Sequence, residues 1–200
     1  MPDFNLIHKA VLADVRYGIF GNMPPEGPGI RLQACPETCL LHVLGAPGCG
    51  DLFTVLTARP ACHVRVAGPS QWLIASEDPI TDVVIRDLED LLGERAVVSD
   101  QTHGRIRIGI SGPRASALLA KGTAIDLDPA QFQTGKSAMT LIGHITVNLA
   151  RIGHDAFEII VLRGFAESLW NDLIHMGLEY GVDCIPAHLA GKHPSGKITG

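Results

Sequence analysis

Apolar and polar residues alternate at Cys62-His63-Val64-Arg65-Val66, the period of a half-buried strand, and Gly68-Pro69 turns the chain into a returning strand, Trp72-Leu73-Ile74-Ala75. Asp78-Pro79 then reads as a helix start, an acidic N-cap before proline in the first turn. Ile80, Val83, Val84, Leu88, Leu91 and Leu92 recur at helical spacing, which predicts one apolar face, and Gly93 ends it. A further strand is expected at Ala96 to Val98. Arg105-Ile106-Arg107-Ile108-Gly109-Ile110 alternates strictly, with three isoleucines on one face and two arginines on the other. Ser111-Gly112-Pro113 predicts a turn with Ser111 as cap of a helix from Arg114 to Lys121, closed by Gly122. Thr140 to Asn148 and Phe157 to Leu162 read as strands, with Gly153-His154-Asp155 turning into the second. A last helix is expected from about Phe165 to Tyr180, with Phe165, Leu169, Leu173 and Ile174 buried and Gly181 as its stop.

The first sixty residues lack this regularity. Pro24-Pro25-Glu26-Gly27-Pro28-Gly29 and Gly45-Ala46-Pro47-Gly48-Cys49-Gly50 surround one apolar run, Cys39 to Leu44. The expected organisation is an irregular arm with short strands over 1–60, an α+β unit over 61–98, a second over 99–184, and a small, polar, basic tail over 185–200 that is flexible or lies on a partner.

Composition narrows the functional classes. The 200 residues include 16 Lys and Arg against 21 Asp and Glu, a net charge of −5, which argues against nucleic-acid binding by phosphate neutralisation. At 46% hydrophobic and 18% charged, the chain has the material for a packed core. No run approaches the roughly 18 apolar residues of a membrane helix. Met1-Pro2-Asp3-Phe4 offers neither the basic start nor the apolar stretch of a secretory signal, so a soluble cytoplasmic protein without membrane contact is expected.

Candidate chemistry is sparse. The five cysteines, Cys35, Cys39, Cys49, Cys62 and Cys184, are an odd set in such a chain and read as thiols rather than a disulfide framework. Cys35-Pro-Glu-Thr-Cys39 lacks the two-residue gap and the second ligand pair of a zinc site, and the nine histidines are scattered. Phosphate-cradling glycine motifs and Gly-x-Ser-x-Gly are missing. Asp126 and Asp128 read as turn caps, Trp72 and Trp170 as core or interface packing, and Asp100-Gln101-Thr102-His103-Gly104 as a polar turn at a strand end, where functional residues often sit. From the residues alone, no catalytic, cofactor-binding or metal-binding residue is assigned.

The segments Arg105 to Ala115, Leu118-Leu119-Ala120-Lys121-Gly122, Ile125-Asp126-Leu127-Asp128-Pro129-Ala130-Gln131-Phe132 and Arg163-Gly164-Phe165-Ala166-Glu167-Ser168-Leu169-Trp170 resemble, in order, the gamma subunit of heterotetrameric sarcosine oxidase. Upstream, Gly68-Pro69-Ser70-Gln71-Trp72-Leu73 is similar to that family's Gly-Pro-x-x-Trp-Leu, and Leu6-Ile7-His8-Lys9 to its opening segment. Gly164 departs from the family's usual serine, and residues 20–60 match poorly.

The resemblance implies an α+β fold of the aminomethyltransferase, folate-binding-domain type, built from two small ferredoxin-like pieces packed together. It implies a non-catalytic subunit of an oxidase that demethylates sarcosine to glycine, giving hydrogen peroxide and methylene-tetrahydrofolate. FAD, FMN, NAD, zinc and tetrahydrofolate are then expected in the alpha, beta and delta partner subunits, with the folate-binding part of alpha as the chief contact. Asp100-Gln101-Thr102-His103 is similar to the Asp-Val-Ser-His segment of aminomethyltransferases, whose aspartate acts on folate, and here it is expected to be a structural remnant. The alternative is a stand-alone folate-binding protein of aminomethyltransferase type; a third reading is an interaction module with no oxidase partner.

Overall fold

The computed structural model describes residues 9–49, 51–59, 62–77 and 81–187. The expected tail from 188 onward and the opening segment up to His8 lie outside the described residues. Among the described residues eleven strands run β1 (Gly18–Phe20), β2 (Ile30–Ala34), β3 (Leu40–Gly45), β4 (His63–Gly68), β5 (Gln71–Ala75), β6 (Ala96–Asp100), β7 (Arg105–Ser111), β8 (Ser137–Ile142), β9 (Ile145–Gly153), β10 (Ala156–Leu162) and β11 (Val182–Ile185). Helices α1 (Leu52–Thr57), α2 (Asp82–Leu92), α3 (Ala115–Ala120) and α4 (Ala166–Gly177) complete the fold.

The strands form two sheets. Seven lie in the order β1-β11-β2-β7-β10-β9-β8 and four in the order β4-β5-β3-β6. Among the described residues only β11 and β2 pair in parallel, with Val182 opposite Ile30. Period-2 side chains give each sheet two different faces. Ile106, Ile108 and Ile110 of β7, with Phe157, Ile159 and Val161 of β10, join Leu118, Leu169, Trp170 and Leu173 of α3 and α4 in the larger core. In the smaller sheet Leu41, Val43, Trp72 and Ile74 pack with Leu52, Leu56, Leu88 and Leu92 of α1 and α2. The opposite faces meet at Leu40, Leu73, Ala75 and Ile160. The layers therefore run helices, small sheet, large sheet, helices.

The arm is where sequence and structure differ most. β2 is an interior strand of the large sheet and β3 an interior strand of the small one. Residues 36–39 carry the chain between the sheets, so the proline- and glycine-rich segments punctuate real strands. The run from Thr140 to Asn148 is a hairpin rather than one strand, because Gly143 takes φ +59° and reverses the chain.

Helix boundaries also move. Residues 78–80 are outside the described residues, and α2 starts after Thr81, whose hydroxyl accepts the Val84 N–H. On that helix Leu88 and Leu92 are buried, while Val83, Val84 and Leu91 stay exposed. Ser111 is the last residue of β7, not a cap; Gly112 at φ +118° redirects the chain, and Arg114 N–H donates to Gly29 C=O. Phe165 closes a 3-10 turn and is exposed, so the buried face of α4 is Leu169, Trp170, Leu173 and Ile174.

Candidate functional site

The two sheets meet through a polar seam as well as an apolar contact. Arg65 of β4 forms an ion pair with Glu158 of β10, both buried. Arg107 of β7 lies 3.6 Å from the other Glu158 oxygen, donates to Glu77 Oε1 at 2.9 Å and to Thr38 Oγ1 at 2.8 Å. Burial alone would lower the Arg107 pKa, but Glu158 and Glu77 outweigh it and hold it above its ordinary value. Asn148 of β9 donates to Val66 C=O at 2.8 Å, adding a third cross-sheet tie.

Cys35 lies at one end of this seam, its thiol 3.9 Å from Glu158 Oε2. Burial first, and the Glu158 carboxylate second, push its pKa up to about 12. A thiol held protonated to that pH is no nucleophile at neutrality. Cys39 instead faces the core of the small sheet, so the two cysteines of the sequence pair serve different layers. Among the described residues no group of three or more His, Cys, Asp and Glu could hold a metal ion.

Cys35 also borders a cavity of about 340 Å³ walled by Leu12, Tyr17, Ala34, Ile106, Pro186 and Glu37. Glu37 is its only carboxylate among the described lining residues, and it is engaged by Arg163 Nη1 at 3.3 Å and faces His103 Nδ1 at 3.6 Å. The cavity can enclose an apolar group; the Glu37 carboxyl already has Arg163 and His103 as neighbours.

The polar turn after β6 is built as a linker between sheets. Asp100 Oδ1 accepts the Thr102 N–H at 2.8 Å, Gln101 N–H donates to Leu40 C=O, and Leu40 N–H donates to Thr102 Oγ1. Asp126 and Asp128 do similar work, accepting the N–H groups of Asp128 and Ala130. Trp170 is fully buried and Trp72 nearly so. Sequence reasoning missed the seam; its trace is a glutamate inside the apolar strand Phe157 to Leu162 and arginines at alternate positions of β4 and β7.

Two antiparallel-rich sheets stacked face to face, sheathed by helices and joined by a buried ionic seam, define an α+β protein of the aminomethyltransferase type. More narrowly, the chain belongs to the GCVT N-terminal domain family, whose model matches residues 64–188. It is similar to the sarcosine oxidase gamma subunit of Corynebacterium sp. (strain U-96), 29% identical over 114 residues, covering 56% of this chain and 55% of that one. It is also similar to the aminomethyltransferase of Koribacter versatilis (strain Ellin345), 33% identical over 104 residues, covering 50% of this chain and 27% of that one. The chain thus spans just over half the length of the first relative and about a quarter of the second.

Solved structures agree. A chain of the heterotetrameric sarcosine oxidase from Corynebacterium sp. U-96 superposes with TM-score 0.65 at 25% identity, covering 74% of this chain and 83% of that one. The glycine cleavage system aminomethyltransferase T from Bartonella henselae superposes with TM-score 0.57 at 15% identity, covering 83% and 53%, and shares the fold.

Proposed function

We propose that this chain is a non-catalytic, gamma-type subunit of a heterotetrameric sarcosine oxidase in the cytoplasm. The reaction supported is the oxidative demethylation of sarcosine to glycine, with hydrogen peroxide and methylene-tetrahydrofolate as products. The observation that carries this reading is the likeness in fold to a chain of such an oxidase across 83% of that chain, with a sequence match to a sarcosine oxidase gamma subunit over 55% of its length.

Two features support placing the chemistry in the partner subunits, together with FAD, FMN, NAD, zinc and tetrahydrofolate. Asp100, the residue that resemblance would assign to folate, accepts the Thr102 amide of its own turn through one carboxylate oxygen. The 340 Å³ cavity is walled largely by apolar groups, and its Glu37 is paired with Arg163, which does not fit the many donors and acceptors of a pterin. The alpha subunit's folate-binding part is the expected chief contact.

Purification of the tagged chain from its native cell, with mass spectrometry of what is retained and a visible spectrum of the eluate, tests the reading. Co-elution of a large flavoprotein whose flavin absorbance bleaches with sarcosine is the expected result. A colourless chain eluting alone would overturn it. Matches to aminomethyltransferases at 33% identity favour a second reading, a stand-alone folate-binding protein, which requires tetrahydrofolate binding by the isolated chain and its loss in Asp100→Asn.

A further inference from the structure

Register separates the inner faces of both sheets residue by residue. On the large sheet Arg105 lies opposite Leu162, Val161 opposite Val147, and Leu141 opposite Thr146, so Arg105, Leu162, Thr146 and Leu141 form one transverse row at the end of the strands. They alternate with Ile106, Val161 and Val147, whose side chains enter the helix-covered core. On the small sheet Val97 lies opposite Leu44, and Ser99 opposite His42, both pairs alternating with Val43 and Val98 of the other core.

The sheets close on each other at Ile160, Leu40, Leu73 and Ala75. Beyond that contact side chains of the same inner faces reach solvent. Leu162 is 42% exposed, Leu141 50%, Leu44 38% and Val97 65%, although each sits on a face whose central members are fully buried. Two opposed sheet faces thus present large apolar side chains to solvent at the same end of the molecule, the composition that marks an interaction surface.

The base of this opening carries two unpaired polar atoms, in side chains of which His42 also hydrogen-bonds Gln71. Arg105 Nε and His42 Nε2 are both excluded from solvent and accept or donate no hydrogen bond. The two side chains are close enough for Arg105 to lower the His42 pKa, second only to burial. Arg105 forms no ion pair with a carboxylate among the described residues, whereas Arg65 and Arg107 on the same seam both do. A half-buried guanidinium with an unmet donor, at the foot of an apolar opening, is complementary to a carboxylate framed by apolar side chains.

We propose that this end of the sheet pair is the docking surface for a segment of a different subunit, which inserts apolar side chains between Leu44, Val97, Leu141 and Leu162 and sets a carboxylate on Arg105. The proposal rests on the reading of the chain as an oxidase subunit and names the surface by which it assembles. A second copy is the poorer occupant, since a two-fold contact pairs this face with itself and the residues placed on it, Leu162, Thr146, Leu141, Leu44, Val97, Ser99 and His42, supply no carboxylate to meet Arg105.

The test uses the full tagged chain, purified with its co-eluting flavoprotein, as wild type and as Leu162→Glu, Arg105→Gln, Arg105→Lys and Ile19→Glu, the last on the far edge strand β1. Leu162→Glu and Arg105→Gln should each lower the retained flavoprotein about tenfold or more, Arg105→Lys less, and Ile19→Glu not at all. Thermal melting of each variant separates lost docking from lost folding. Hydrogen exchange on the wild type supplies a readout free of mutation: residues 97–99 and 141–146 should exchange more slowly in the complex than in the free chain. Full retention by Leu162→Glu and Arg105→Gln, with no slowing at those segments, would overturn the surface while leaving the subunit reading intact. A wild-type dimer broken by these variants would also overturn it, in favour of self-association. A wild type that retains no flavoprotein would instead sink the subunit reading, and this inference with it.

Discussion

Arg65 and Glu158, 93 residues apart in the chain, form an ion pair across the two sheets with both side chains almost wholly removed from water. Glu158 also faces Arg107, which Glu77 engages as well, so one carboxylate is shared between two guanidinium groups in the seam. Taking such ions out of water costs several kcal/mol each, which their mutual attraction offsets only while every member is present.

Removing the shared carboxylate should therefore be far worse than removing a surface charge. Glu158→Leu is expected to destabilise the chain by about 3–5 kcal/mol, because it strands Arg65 and weakens the hold on Arg107. Adding Arg65→Met to Glu158→Leu should recover a large part of that loss by removing the stranded charge. Urea unfolding of the two variants measures both effects; a double variant no more stable than the single one would refute the account.

How far this arrangement could be read from the sequence depends on whether the cause is local. The β4–β5 hairpin, β7, β10 and α4 follow from spacing, since alternation or helical recurrence is set by neighbours in the chain. β3 shows in the sequence only as the apolar run Cys39 to Leu44 and β2 not at all, because their flanks are rich in proline and glycine and their strand character comes from pairing with β5 and β7, far along the sequence. The seam is illegible for the same reason: an arginine alternating with isoleucine reads as a polar face, and only a second sheet turns that face inward. Glu37 and Arg163 meet from 126 residues apart. The turn at Asp100 was legible as a turn, because aspartate two residues before an amide caps it locally.

The indole of Trp170 is completely buried, donates to Arg16 C=O at 3.2 Å and stands edge-on to Tyr17 with ring centroids 5.7 Å apart. It anchors the N-terminal segment to α4. Trp170→Ala should cost about 3–5 kcal/mol by opening a cavity. Trp170→Phe should cost less, retaining most of the apolar volume but leaving the Arg16 carbonyl without this donor. Thermal unfolding of the three proteins should rank them wild type, Phe, Ala, and equal midpoints for Phe and Ala would show that the ring volume is not what matters.

Gly164 stands where the resembling family carries serine, and a side chain added there would meet nothing within 4 Å. Its backbone, in a 3-10 turn, is not left-handed, so a Cβ brings no strain. Gly164→Ser should leave the fold unchanged and raise stability by up to about 1 kcal/mol, since it restricts the unfolded chain more than the folded one. Gly177→Ala serves as the contrast: its Cβ would fall 2.5 Å from Val182 Cγ2 and 2.9 Å from Leu118 Cδ1, which should destabilise the core. Comparable melting midpoints for both variants would contradict this packing.

Three thiols set the alkaline limit of stability. Burial lifts the pKa of Cys35 and Cys184 from 9.0 to about 12 and that of Cys39 to about 11. Between pH 9 and these values the unfolded chain has released thiol protons that the folded chain still holds. With the unfolded state binding fewer protons, unfolding becomes easier as pH rises, so stability is intact below about pH 9 and declines above it. Cys35→Ala removes one such proton from the balance and should make the decline between pH 9 and 11 shallower than in the wild type. The same protonation should leave Cys35 unmodified by iodoacetamide in the native protein at pH 8, and reactive once urea unfolds it. A wild type and Cys35→Ala whose urea midpoints fall in parallel across that pH range would show that Cys35 is not held as a thiol by the seam.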